Sequence, residues 1–245
     1  AAAIPALLAA ALFLMIAGRN RLKKMIRANH DHFYLQAFVS FIDRERAGAI
    51  LAFVILVRAG EYMLSAMVAP FMVDAGFKLH YGWIAGGIGL PCSILGALLG
   101  GNLIARYSLR KMFWPFLLAQ NLTNLVYMGL AIWLERFSAA AAPGFPPLAA
   151  VALVHGFDQF AGGLGTAVLM TFLMNLCRAR FAAAHYAIGS GLMGVGGLVS
   201  ATASGFLAHS LGYPLFFGAS FLVSLPGMGI ALLLPKTVDP PPSSP

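Results

Sequence analysis

Charge is scarce in this chain. Of 245 residues, 8 are Asp or Glu and 16 are Lys or Arg, a charged share of 10%. Soluble domains carry about a quarter, so an ordinary water-soluble enzyme is excluded. Cysteine is nearly absent. Cys92 and Cys177 lie far apart in apolar sequence, which excludes a disulfide framework and any zinc-ligand spacing. Phosphate-loop, nucleophile-elbow and H-E-x-x-H patterns are missing. Gly189 to Gly194 match G-x-G-x-x-G by letter, but inside an apolar run with no strand before it, so a dinucleotide site lacks its context. Ser65, one helical turn from Glu61, is the nearest nucleophile–base pair, and nothing extends it. No enzyme, metal or cofactor is expected. What is plentiful is apolar: 60% of residues are hydrophobic, mean hydropathy is +0.83, and there are 27 glycines. Closely packed membrane helices have this composition.

A bilayer core needs about 20 mostly apolar residues per helix. Six full spans satisfy this, at roughly 47–73, 82–105, 112–134, 146–176, 183–208 and 213–234. They form a six-helix bundle over 47–235. Segment 1–18 is apolar but short, begins without methionine and has no basic residues ahead of its apolar run. It reads as the C-terminal part of a truncated transmembrane helix rather than a signal peptide. The chain is then expected to be part of a protein with more helices upstream. Residues 19–46 form a polar linker in which Phe33, Ala37, Phe38, Phe41 and Ile42 recur at helical spacing. That pattern suggests an amphipathic helix on the membrane face, or a plain linker with an apolar patch. Segment 236–245, rich in Pro and Ser, is expected to be a disordered tail.

The basic residues orient the spans. Arg19, Arg21, Lys23, Lys24, Arg27, Arg44, Arg46, Arg106, Arg110, Lys111, Arg178, Arg180 and Lys236 fall on one side if the helices alternate. Lys78 and Arg136 alone fall on the other. The rich side is cytoplasmic by the positive-inside rule, and so is the C-terminus. The net charge of +8 is thereby explained without a nucleic-acid partner; the partner is the lipid bilayer.

The spans divide into two groups of three. Each group's first span carries two ionisable residues three apart, Arg58 and Glu61, then His155 and Asp158, with an offset of 97 between the pairs. Gly101-Asn102-Leu103 closes one second span and Gly205-Phe206-Leu207 the other. Three crossings end on the opposite side, so the copies are inverted, an all-α plan used by secondary transporters with the site at the repeat interface. A charge at the bilayer centre costs about 2.5–3.5 kcal/mol. These four groups must therefore face protein or a wet cavity, and a spacing of three puts each pair on one helix face. Low-dielectric surroundings favour the neutral form of a carboxyl, which makes Glu61 and Asp158 candidates for carrying a proton. Histidine changes charge near neutral pH. A structural ion pair that fixes helix rotation is the other reading. Gln120, Asn121, Thr123 and Asn124 are candidates for interhelical hydrogen bonds or for a cavity lining. Gly96 with Gly100, and Gly197 with Ala201 and Gly205, are candidates for close helix contacts.

Gly101 through Arg106 to Arg110 and Lys111 resembles the cytoplasmic loop signature of the major facilitator superfamily, glycine-x-leucine-x-aspartate-arginine-x-glycine-arginine-arginine/lysine. Ala105 replaces the acid, Ser108 replaces the second glycine, and Leu109 is inserted before the basic pair. Four stretches resemble the AmpG-like permeases and their peptide–acetyl-coenzyme A transporter relatives: Arg58-Ala59-Gly60-Glu61; Leu98 through Leu125 with its Gln and Asn; Asp158-Gln159-Phe160-Ala161-Gly162-Gly163-Leu164-Gly165-Thr166-Ala167; and Phe181 to Tyr186 followed by Gly205-Phe206-Leu207 to Leu211 through Phe217. Asp158 and Gln159 stand where that family has glutamate and asparagine. The resemblance covers about residues 30–235. It implies a major-facilitator-type six-helix half, preceded by the end of another transmembrane helix and missing its N-terminal half. It further implies proton-coupled import of cell-wall muropeptides, a sugar–peptide substrate, into the cytoplasm across a bacterial inner membrane by alternating access. Arg58, Glu61, His155 and Asp158 would lie at the central cavity, with Ser65, Gln120, Asn124, Gly162 and Gly165 as further cavity or packing positions. Alternatives are another cargo, such as a siderophore or coenzyme A ester, and a non-transporting scaffold or sensor.

Overall fold

The computed structural model describes residues 33–42, 46–137, 145–177 and 179–234. The expected truncated helix at 1–18, the linker before Phe33, Arg178, and the tail with Lys236 lie outside the described residues. Among those described there is no strand. The helices are α1 (Phe33–Ile42), α2 (Ala47–Leu56), α3 (Ala59–Met72), α4 (Lys78–Trp83), α5 (Leu90–Tyr107), α6 (Leu109–Phe137), α7 (Phe145–Leu176) and α8 (Ala182–Ala231). Short π-helical segments, Val73–Phe77 and Ile84–Gly89, flank α4.

Among the described residues, four continuous helical stretches are long and apolar enough to cross a membrane: Ala47–Tyr107, Leu109–Arg136, Pro146–Leu176 and Ala182–Ala231. The first holds 61 residues. Straight, it would run about 90 Å through a hydrocarbon core of about 30 Å. It is not straight. Gly76 stands at φ 90°, and Gly212 within α8 at φ 74°. Glycine enters that left-handed region without the Cβ clash that bars other residues. The chain turns back at both points. Six rods result: rod 1 (α2 and α3), rod 2 (α4 to α5), rod 3 (α6), rod 4 (α7), rod 5 (182–211) and rod 6 (213–231).

Contacts fix the rod directions. Met193 joins the cluster of Ile50 and Phe53, and Leu207 packs on the cluster of Met63 and Phe71, so rod 5 runs parallel to rod 1; between them Gly196 meets the Ile55 backbone and Gly197 the Tyr62 ring. Phe217 meets Phe71 edge to face, Ser220 lies against Gly60 and Gly227 against Val57, so rod 6 runs antiparallel to rod 1. Gly89 faces His155, Gly96 faces Phe160 and Gly100 faces Ala167, which makes rods 2 and 4 parallel. Gln120 meets Gly165 and Tyr127 meets His155, which makes rods 3 and 4 antiparallel. Phe53 on Phe113 and Phe71 on Tyr127 set rods 1 and 3 parallel, so rods 1 and 4 are antiparallel. Exchanging 1 with 4, 2 with 5 and 3 with 6 reproduces every relation. The inverted three-plus-three repeat expected from the sequence is the arrangement found. The small-residue contacts need one correction. Gly96, Gly100 and Gly197 are close-contact sites, whereas Ala201 is exposed and Gly205 borders open space. Ser200 and Ser204 are the residues that rod 5 buries there.

Two apolar cores fill the bundle. One holds Ile50, Phe53, Val57, Phe113, Leu117, Leu164, Phe172 and Met193; the other holds Met63, Phe71, Tyr127, Leu130, Val151, Phe216 and Phe217. On rods 1, 3 and 4 the first core stops at Val57, Leu117 and Leu164, and the second at Met63, Tyr127 and Ala152. Between them lies a layer containing Arg58, Glu61, Gln120 to Asn124, His155 and Asp158. The ionisable residues thus sit midway along the rods.

On the basic side, α1 docks on the start of α8. Ala37 and Phe41 are buried there, and the fully buried His185 imidazole makes the joint. Its Nε2 lies 3.1 Å from the Ala37 carbonyl and 2.7 Å from Ser40 Oγ. A carbonyl only accepts, so Nε2 carries the proton. The turn from α5 to α6 is made by Ser108 at φ 80°, ψ 150°, a conformation that suits glycine. This is the position of the loop signature's second glycine, which gives that glycine a backbone reason. Ser108→Gly is expected to stabilise the protein by about 1 kcal/mol through relieved strain. A thermal midpoint in detergent that stays put or falls would count against this turn geometry.

Candidate functional site

Rod 1 is interrupted at Val57 and Arg58, between α2 and α3. Arg58 has φ −103° and ψ 8°, outside the helical basin, and its carbonyl accepts from the Tyr62 N–H at 2.9 Å. Gly227 of rod 6 packs directly on the Leu56–Val57 backbone at this break. Glu61 then falls in the first turn of α3, where the helix dipole favours a negative charge. The Arg58 guanidinium grips it with two parallel hydrogen bonds, Nε to Oε2 and Nη2 to Oε1. Gln120 Nε2 donates a third, to Oε2. Arg58 and Glu61 expose only 14% and 17% of their side chains, so this is a largely desolvated pair. The guanidinium also lies 5.4 Å from the Tyr62 ring centroid.

Rod 4 closes the site from the other repeat. A Cβ at Gly162 would stand 3.5 Å from Glu61 Oε1, and one at Gly165 would collide with the Gln120 carboxamide. These two glycines let the rod 4 backbone approach the Glu61–Gln120 pair. Asp158 is buried one turn before Gly162, beside the Thr123 side chain. His155, also buried, bonds instead to Tyr127, whose hydroxyl lies 2.9 Å from Nδ1. Among the described residues Asp158 forms no ion pair. The two repeats therefore differ at equivalent positions: Arg58 holds Glu61, and His155 does not hold Asp158.

Beneath Glu61 a cavity of about 10 Å³ is lined by Val57, Glu61, Leu117, Gln120, Asn121 and Met228, room for about one water. Asn121 and Asn124 then zip rod 3 to rod 6. Ser224 Oγ donates to Asn121 Oδ1, Ser220 Oγ to Asn124 Oδ1 at 2.7 Å, and Asn121 Nδ2 to the Met228 sulfur at 2.7 Å. The structure thus brings Arg58, Glu61, Gln120 and Gly162 together, with Asp158 beside them. It places Asn124 in a helix–helix zipper. Ser65 is exposed on rod 1, and Gly101, Arg106, Arg110 and Lys111 are exposed at the basic end, outside the polar layer. Sequence reasoning missed Tyr127, Ser220 and Ser224. The signal for the serines is a polar i, i+4 pair in an apolar run, and for Tyr127 a step of seven from Gln120 on one face of α6. Among the described residues, no three His, Cys, Asp or Glu side chains are grouped to hold a metal ion.

No family model matches the chain. Over 204 residues, 81% of this chain and 39% of the relative, it is 28% identical to the anhydromuropeptide permease of Escherichia coli (strain K12). It is 27% identical over 206 residues to the putative transporter AmpG 4 of Rickettsia felis, covering 84% of this chain and 47% of that one. It is 25% identical over 231 residues to the putative transporter AmpG 2 of Rickettsia prowazekii, covering 93% and 53%. The chain spans about two fifths to half the length of these curated relatives. Across most of its own length this chain is similar to AmpG-type permeases, in keeping with the four motif stretches and the all-α membrane fold.

Proposed function

We propose that the chain is the C-terminal half of a proton-coupled secondary transporter that imports anhydromuropeptides across the bacterial inner membrane by alternating access. The missing N-terminal half would complete the substrate path, and the basic side would face the cytoplasm. The observation that carries this reading is the polar layer. Ionisable residues sit between two apolar cores, on the two antiparallel rods that open the inverted repeats. Groups so costly to place there earn their position by handling ions or charged substrate. In this reading Arg58 binds a substrate carboxylate or tunes Glu61, Glu61 and Asp158 are the candidate proton or substrate-ion groups, and His155 tunes Asp158. The names of the relatives supply the cargo. The competing cargoes, a siderophore or a coenzyme A ester, predict a different uptake profile, and a scaffold or sensor predicts none.

The test is uptake of labelled anhydromuropeptide by liposomes containing the complete protein, with an imposed pH gradient. Accumulation is expected with the gradient and not without it. Glu61→Gln and Asp158→Asn are each expected to fall well below wild type. Two variants that transport as wild type would remove both carboxyls from the mechanism.

A further inference from the structure

The two carboxyls of the polar layer are not equivalent, although they occupy equivalent positions in the two repeats. Glu61 has both oxygens committed to donors: Oε1 to Arg58 Nη2, Oε2 to Arg58 Nε and Gln120 Nε2. A proton on Glu61 would face one of those donors and leave a guanidinium unpaired at membrane depth. Arginine cannot shed its own charge, so that step is heavily penalised. Asp158 has no such partner. Arg58 is turned to Glu61, and His155 is turned to Tyr127. The titratable groups facing Asp158 are Glu61 from rod 1 and Tyr127 from rod 3, while His155 on its own helix is bonded to Tyr127. With His155 neutral, this dry layer holds one guanidinium and two carboxyls. Its charge balances when one carboxyl is protonated.

The hydrogen bonding of Glu61 chooses which: three N–H donors, two of them from a guanidinium, hold it in the ionised form. Thr123 Oγ bonds the Gln120 carbonyl at 2.7 Å and lies beside Asp158. Its hydroxyl is a rotor that accepts from a carboxylic O–H or donates to a carboxylate, so it serves Asp158 in both states.

We infer that the carboxyls divide the work: Asp158 takes up and releases the transported proton, while Glu61 stays the ionised partner of Arg58 throughout. On one side of the membrane hydronium gives a proton to the Asp158 carboxylate and becomes water; on the other the Asp158 O–H gives that proton to water, which becomes hydronium, and the carboxylate is restored. This assignment rests on the proton-coupled reading above, but one of its tests needs no substrate. Infrared titration of the complete protein in lipid reads the C=O stretch of protonated carboxylic acids. A band near neutral pH is expected in wild type and in the double variant Arg58→Leu with Glu61→Gln, which removes the ion pair and leaves Asp158 without a cation beside it. It is expected to be lost in Asp158→Asn and restored at a shifted position in Asp158→Glu, which also controls for folding. A band that survives Asp158→Asn and vanishes in the double variant overturns the assignment. In liposomes, the uptake left in Asp158→Asn is expected to lose its dependence on an imposed pH gradient. Uptake in Glu61→Gln is expected to keep that dependence at a reduced rate. The reverse pattern also overturns it. Wild type that takes up no anhydromuropeptide refutes the cargo alone, and the infrared result still decides between the carboxyls.

Discussion

Arg58→Leu is expected to destabilise the bundle by about 3–5 kcal/mol, the usual cost of removing one partner of a buried ion pair. The reason is what remains. Glu61 would keep its place in a layer with apolar cores on both sides, its carboxylate held by Gln120 alone. Side-chain exposures of 14% and 17% leave water little access to compensate. The double variant Arg58→Leu with Glu61→Gln removes the orphaned charge and leaves a neutral amide beside Gln120. It is expected to recover most of the loss, because a buried ion pair and its neutral replacement are often close in stability. Thermal or denaturant unfolding in lipid micelles measures both. The coupling between the two sites is the quantity to read. Equal losses in the single and double variants would mean that Arg58 contributes packing only, and its pairing with Glu61 would be energetically idle.

This pair also shows where sequence reasoning reached and where it stopped. The offset of 97 residues and the spacing of three were legible as letters. So was the inversion, since three crossings must change sides. The break in rod 1 was not. Residues 47–73 read as one apolar run, and nothing in Leu56-Val57-Arg58-Ala59 announces a gap between helices. The gap accompanies the approach of Gly227, 170 residues further along the chain than Val57. The asymmetry between the repeats was hidden for a similar reason. His155 is three residues from Asp158 and on the same face, yet its ring is taken by Tyr127 of another rod. A histidine's partner is a tertiary fact. So is the zipper of Asn121 and Asn124 with Ser224 and Ser220, which exists only because rods 3 and 6 meet. The reversals at Gly76 and Gly212 were expected as loops between spans. Each is a single left-handed glycine within a nearly unbroken helical path.

The largest purely steric effect is expected at Gly163, where rods 2 and 4 cross. A Cβ there would lie 2.7 Å from the Ala97 backbone nitrogen and 3.0 Å from the Gly96 carbonyl carbon. The obstacles are main chain, so no rotamer change relieves them. Gly96 is equally confined from the other side, its own Cβ position 3.0 Å from the Phe160 carbonyl carbon and 3.2 Å from Gly163 Cα. Gly163→Val must push the rods apart. The expected cost is at or above the top of the usual overpacking range of about 1–3 kcal/mol. Because rod 4 also carries Asp158, Gly162 and Gly165, a shift there withdraws its backbone from Glu61 and Gln120. Loss of folded protein in membranes, or of uptake in what survives, is the expected result. Gly101→Ala is the matched control. Gly101 lies on rod 2 with no atom within 4 Å of its Cβ position, and alanine in an exposed helix is worth up to about 1 kcal/mol over glycine. That variant should be neutral or slightly stabilised. If the two substitutions behaved the same way, rods 2 and 4 could not be in backbone contact. The parallel pairing that makes the second repeat an inverted copy of the first would then be wrong.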